Sequence, residues 1–92
     1  MKSVLQTKKE CFLCGTTIGL HDHHIFYGTA NRKKAEKYGL KVFLCQEHHT
    51  GGSGVHFNKD LDVELKKLSQ KYFEGHYGSR DAFRDEFGKS VL

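Results

Sequence analysis

The sequence has no proline, no internal repeat and no low-complexity tract, which excludes repeat architectures and proline-rich recognition segments. Long apolar runs are also missing. The longest, Val42-Phe43-Leu44, is extended only by Cys45, whereas a membrane-spanning helix needs about 20 such residues. The opening residues Met1-Lys2-Ser3-Val4-Leu5-Gln6 hold no apolar stretch of the kind a secretory signal requires. There are three cysteines, an odd number that cannot close into a disulfide framework. These absences predict a reducing, cytoplasmic setting and no membrane partner; cysteines there more often ligate metals or catalyse than crosslink.

Apolar residues are scarce too, at 37% of 92 residues. A chain of this length buries too little surface to be stable by a wide margin, so a structural staple is expected. Seven Phe and four Tyr supply the large side chains of a thin core. The formal charge of +4 and pI of about 9.0 favour polyanionic partners, nucleic acid among them, although ordinary basic proteins share so mild an excess.

The pattern along the chain predicts a small α+β domain. Residues 1–10 read as a short polar N-terminal arm, and residues 11–92 as one domain. Cys11-Phe12-Leu13-Cys14-Gly15 has the form of a metal knuckle on a tight turn. Residues 21–27 begin polar and end in Ile25-Phe26-Tyr27, a short strand stopped by Gly28. Asn31 to Tyr38 forms a short helix, with Asn31 suited to the N-cap and Gly39 to the position just past the end. Val42-Phe43-Leu44 is a second strand that runs into a helix start at Cys45-Gln46-Glu47-His48-His49, broken by the glycines at 51, 52 and 54. From Asp60, the residues Leu61, Leu65, Leu68 and Tyr72 make one apolar stripe of a helix closed by Gly75. Ser79 caps a last helix carrying Phe83 and Phe87 and ended by Gly88. The helices of residues 60–88 read as support for a chemical core at 11–56.

Two signals carry chemistry. Cys11-x2-Cys14 and Cys45-x2-His48, with residues 15–44 between them, have the spacing of a closed Cys3His zinc tetrahedron, for which His49 is the alternative fourth ligand. Six of the seven histidines, His21, His23, His24, His48, His49 and His56, crowd into one stretch. One imidazole alone is more often a surface or core residue than a ligand. Several together point to a metal or acid–base site.

Cys-x2-Cys, then Asp22-His23-His24-Ile25, then Leu44-Cys45-x2-His48-His49 resembles the zinc-stapled HNH (His-Me finger) endonucleases of phage type. The likeness covers residues 11–56, about half the chain, and Phe87-Gly88-x3-Leu92 is similar to the tail of such proteins. It implies a ββα-metal core with a structural zinc knuckle and additional C-terminal helices, in a bacterial or phage-infected cell. It further implies hydrolysis of DNA phosphodiester bonds with a catalytic divalent cation: Mg2+, Mn2+, Ni2+ or Zn2+. By the same likeness His24 is the general base, and His23 (or Asp22) and His49 hold the cation. A further ligand usually follows one helical turn later, where this chain has Ser53, a poor donor, so His56 is the substitute. The family's cysteine at position 48 is replaced by histidine, and its asparagine is missing near Gly39-Leu40. Asn31 either orients His24 as a catalytic residue or simply caps a helix. Arg32, Lys33, Lys34, Lys37 and Lys41 are candidate contacts to the DNA backbone, or a solvated helix face. Two readings compete with the nuclease: a non-catalytic zinc module that binds DNA or protein, and a repurposed HNH scaffold serving a phage or host protein.

Overall fold

The computed structural model describes all residues except residue 53. In chain order the elements are β1 (Leu20–His24), α1 (Thr29–Tyr38), β2 (Lys41–Cys45), α2 (Gln46–His49), α3 (Lys59–His76) and α4 (Arg80–Phe87). The strands pair antiparallel, His24 opposite Lys41 and Leu20 opposite Cys45, and α1 forms the connection between them. None of the described helices is long and apolar enough to cross a membrane.

β1 is Leu-His-Asp-His-His, a poor strand by propensity, and it forms because the β-favouring Lys-Val-Phe-Leu-Cys of β2 supplies its ladder. The strand expected at Ile25-Phe26-Tyr27 therefore lies earlier. Ile25 and Phe26 are both buried, which two successive residues of a strand with one covered face cannot be. Ile25 instead donates its N–H to the Leu40 carbonyl at 3.1 Å, and Phe26 packs against Phe83 and Phe87.

The polar arm is fastened to the structure. Val4 donates to the Gly39 carbonyl, Ser3 Oγ donates to the Lys41 carbonyl, and Gln6 Oε1 accepts from Phe43 N–H. It thus covers the outer edge of β2, which would otherwise present unpaired backbone groups. Gly39 adopts φ 72° at the end of α1, and a Cβ there would also come within 2.6 Å of the Lys2 carbonyl oxygen. At the other end of α1 the N-cap is Gly28, with no side-chain cap. Asn31 lies inside the first turn, so it does not cap the helix.

α3 is capped by Asn58 Oδ1, which accepts from Leu61 N–H at 3.1 Å. It runs through Gly75 to His76, one residue past the expected stop. Its buried residues are Asp62, Leu65, Ser69, Gln70 and Phe73, whereas Leu68 is 41% exposed. The stripe read from leucine spacing is therefore rotated. Phe73 is the residue that reaches the aromatic cluster, and it pulls that side of the helix inward. Buried Gln70 donates to Ser90 Oγ and accepts from Val91 N–H, tying down the C-terminal tail. Ser79 caps α4 as expected.

Phe26, Phe73, Phe83 and Phe87, with Tyr38, form an aromatic core at ring separations of 4.5–6.4 Å. Phe83 is fully buried at its centre. Phe83→Ala is expected to cost about 3–5 kcal/mol, a large share of what a domain of this size holds, read as a lowered urea midpoint.

Candidate functional site

The knuckle turn, the end of β2 and the short helix α2 bring Cys11, Cys14, Cys45 and His48 together, with all ligand atoms within 4.8 Å of one another. Gly15, at φ 79°, closes the turn by donating to the Cys11 carbonyl. Tetrahedral bonding at about 2.3 Å to sulfur and about 2.0 Å to nitrogen gives edges of about 3.8 Å (S···S) and about 3.5 Å (S···N). Cys14 Sγ and Cys45 Sγ lie 3.8 Å apart, and His48 Nδ1 lies 3.2 Å from Cys45 Sγ and 3.7 Å from Cys11 Sγ. The group can hold a metal ion such as zinc. It takes His48, leaving His49 for other use. Burial opposes ionisation of the Cys11 thiol, but backbone N–H groups of Cys45, Cys14 and Leu13 outweigh it and bring its pKa down to about 6. That favours the thiolate a metal needs.

A second group draws one imidazole from each of three segments: His23 on β1, His49 on α2 and His56 beyond it, again within 4.8 Å. His49 Nε2 and His56 Nε2 are 3.4 Å apart, close to the nitrogen–nitrogen edge of about 3.3 Å around a tetrahedral zinc. His23 is 3% exposed. Among the described residues, its Nε2 is the buried side-chain polar atom without a hydrogen-bond partner. A buried imidazole nitrogen without a partner, on a ring 5.1 Å from that of His49 and 6.0 Å from that of His56, suits a metal ligand. Burial, reinforced by repulsion from His49 and His56 and opposed by Asp62, lowers the His23 pKa to about 4. Burial, His56 and His21 lower that of His49. Both rings are thus neutral, with lone pairs available. The loop that returns His56 passes so near α2 that a Cβ on Gly54 would lie 2.7 Å from the His49 carbonyl oxygen. Ser53, the other ligand considered, lies outside the described residues.

Alternation along β1 sends His21 and His23 to the face bearing Val42 and Leu44, and Asp22 and His24 to the face bearing Lys41. There His24 Nε2 meets Glu36 Oε1 at 3.1 Å. Lys41 Nζ bridges Glu36 at 3.0 Å and Asp22 at 3.2 Å, and the Met1 amino group reaches Glu36 at 2.7 Å. That amino group, then Lys41 and His24, depress the Glu36 pKa to about 2. Asp22, His24 and Glu36 also have ligand spacing, but the Lys41 ammonium already sits between the carboxylates. The carboxylate accepting from His24 Nε2–H leaves Nδ1 with the free lone pair.

The sequence pattern offered no sign of Glu36. It belongs to the short helix between the strands, and only the fold carries it back over the strand end. Asn31, nominated as the orienting residue, sits in the first turn of the same helix, while Glu36 contacts His24. Of the five basic candidates, Arg32 and Lys33 line a groove of about 760 Å³ together with His24, Tyr27 and Glu36. Lys34 instead donates to the Glu86 carbonyl, Lys37 stacks over Tyr38, and Lys41 serves the carboxylates. Tyr27 stands between the groove and the histidine trio, its ring 6.3 Å from His56.

No family model, curated protein or solved structure matches the chain.

Elemental analysis of purified protein is expected to return one tightly held zinc per chain; Cys45→Ser should lose it and unfold. A chelator-stripped sample that melts like the untreated one would contradict the staple. Because the folded-state pKa of His23 is depressed from the ordinary 6.5 to about 4, the unfolded chain binds the extra proton in that window. Without a second cation, stability is therefore full above pH 6.5. It falls as pH drops towards 4, by at most about 1.4 kcal/mol per pH unit. His23→Gln should flatten that part of the melting profile.

Proposed function

We propose that the chain is a metal-dependent endonuclease of the HNH kind that hydrolyses DNA phosphodiester bonds in a reducing, cytoplasmic setting. The observation that carries this reading is the convergence of His23, His49 and His56, with the buried His23 Nε2 unpartnered, beside the Cys3His group. The order β1, β2, α2 is also the order in which the resemblance places its strands and helix. The trio accounts for the histidine at position 56, where the usual ligand position holds a serine.

A phosphodiester resists attack because its charge repels the nucleophile and its leaving oxygen is poor. A divalent cation at the trio would supply neutralisation of both. His24 is the general base: with Nε2–H held by Glu36, Nδ1 takes the proton from the attacking water. Glu36 does the orienting that the family assigns to asparagine. Arg32 and Lys33 hold the strand in the groove through its phosphates, so sequence preference is slight and salt dependence strong. Tyr27 lines the groove and lies 6.3 Å, ring to ring, from His56, so it is the residue the groove and the trio share.

One observation favours the rival reading of a non-catalytic zinc-bearing binding module. His24 leaves β1 on the face opposite His23, with one nitrogen already engaged by Glu36. The two readings separate in a plasmid-nicking assay with Mg2+, Mn2+, Ni2+ or Zn2+. Wild type is expected to cut, and His24→Ala to cut roughly 10²- to 10⁴-fold more slowly, with zinc content and melting unchanged. Equal cutting by both proteins would remove His24 as the base. No cutting by wild type with any of the ions would leave the binding module.

A further inference from the structure

The remaining histidine of the crowd, His21, has no role in the scheme above. It lies two residues before His23, on the same face of β1, opposite Leu44. Its Nδ1 is 2.8 Å from His49 Nδ1, and the two rings meet edge to face at 4.9 Å. Two ring nitrogens at that separation form a hydrogen bond only if one carries a proton and the other a lone pair, and a neutral imidazole has one of each. His49 can ligate through Nε2 only when that nitrogen is unprotonated, which puts its proton on Nδ1, facing His21. His21 must then offer the Nδ1 lone pair and keep its own proton on Nε2, an arrangement open to a ring that is only half-buried.

We propose that His21 is a positioning residue for the second cation site. It accepts the Nδ1 proton of His49, fixing the tautomer and ring orientation in which His49 Nε2 joins His23 and His56. A partner of this kind on the far nitrogen of a ligating histidine also raises the basicity of the ligating one. The role rests on reading the trio as a cation site. It gives β1 two contributions to that site from one face: a ligand at His23, and at His21 the group that aims another ligand. The chemistry assigns a preference as well. With three neutral imidazoles and no carboxylate in the trio, the ion is one that favours nitrogen, such as Co2+, Ni2+ or Zn2+, over the oxygen-seeking Mg2+.

The experiment is a calorimetric titration of Co2+ into full-length protein whose Cys3His group is already filled with zinc, with the visible absorption of bound Co2+ recorded alongside. Wild type is expected to bind one Co2+. His21→Phe should bind it about 10- to 100-fold more weakly while keeping its zinc and its circular dichroism. The absorption band should hold its position, since the donor atoms are unchanged. His21→Gln, which can still accept from His49, should recover part of the loss and covers the case in which the phenylalanine variant does not fold. Unchanged affinity in both variants would overturn the role of His21 while leaving the cation site standing. A shifted band would make His21 a ligand instead and would also overturn it. If wild type takes up no Co2+ beside its zinc, both the positioning role and the cation-site reading fall.

Discussion

Four residues make up α2, fewer than any helix needs to persist in water by itself. What holds it is the group at its start. Cys45 ends β2, His48 lies within the helix, and both face the sulfurs of the distant knuckle. An ion held there would fasten the first part of the chain to the strand–helix junction and fix the direction of α2. Since His48 and His49 are neighbours on one turn, fixing the first also aims the second. The aromatic core, built from Phe26, Tyr38 and the phenylalanines of α3 and α4, belongs to the same buried cluster as Cys11 and Cys45 but, among the described residues, contributes no ring contact to α2. The fold thus has two anchors of different chemistry, one of stacked rings and one of thiolates and imidazole.

β1 carries the other constraint. It is five residues long, and only Leu20 packs against the hydrophobic core in the ordinary way. One face gives His21 and His23 to the histidine group, and the other gives Asp22 and His24 to the charged cluster around Glu36 and Lys41. A strand with so little intrinsic preference for its conformation survives because β2 and the arm beyond it complete the ladder. The two faces come together only at the strand end, where Tyr27 borders both the groove and the trio.

The cysteine pairs, His48 as partner of the thiols, the meeting of His23, His49 and His56, and the cap at Ser79 differ in how far apart their residues lie. The ligand spacings and the Ser79 cap were legible because they depend on residues a few positions apart. Spacing favoured His48 over His49 as the fourth ligand, and the direction of α2 agrees with it. What stayed hidden depends on distance in sequence. Glu36 reaches His24 only because α1 folds back over β1, and His21 acquires a partner only when α2 docks. Position 68 of α3 looked buried because leucine spacing alone drew the stripe, whereas the aromatic cluster pulls Phe73 inward and turns Leu68 out. Asn31 looked like a cap because asparagine usually is one, yet the helix begins two residues earlier, at Thr29, with Gly28 as its cap.

Gly54 has a wider consequence than its size suggests. The loop between His49 and His56 turns back against the carbonyl of His49, and only a residue without a side chain fits there. Any larger residue, or a change in loop length, would move His56 and leave the other two imidazoles with no third donor. Such a chain would keep its thiol-bound anchor and its aromatic core and would fold much as this one does. Selection for folding alone therefore does not protect the glycine. Its retention or loss among natural variants would distinguish chains that still use the histidine group from those that have kept only the scaffold.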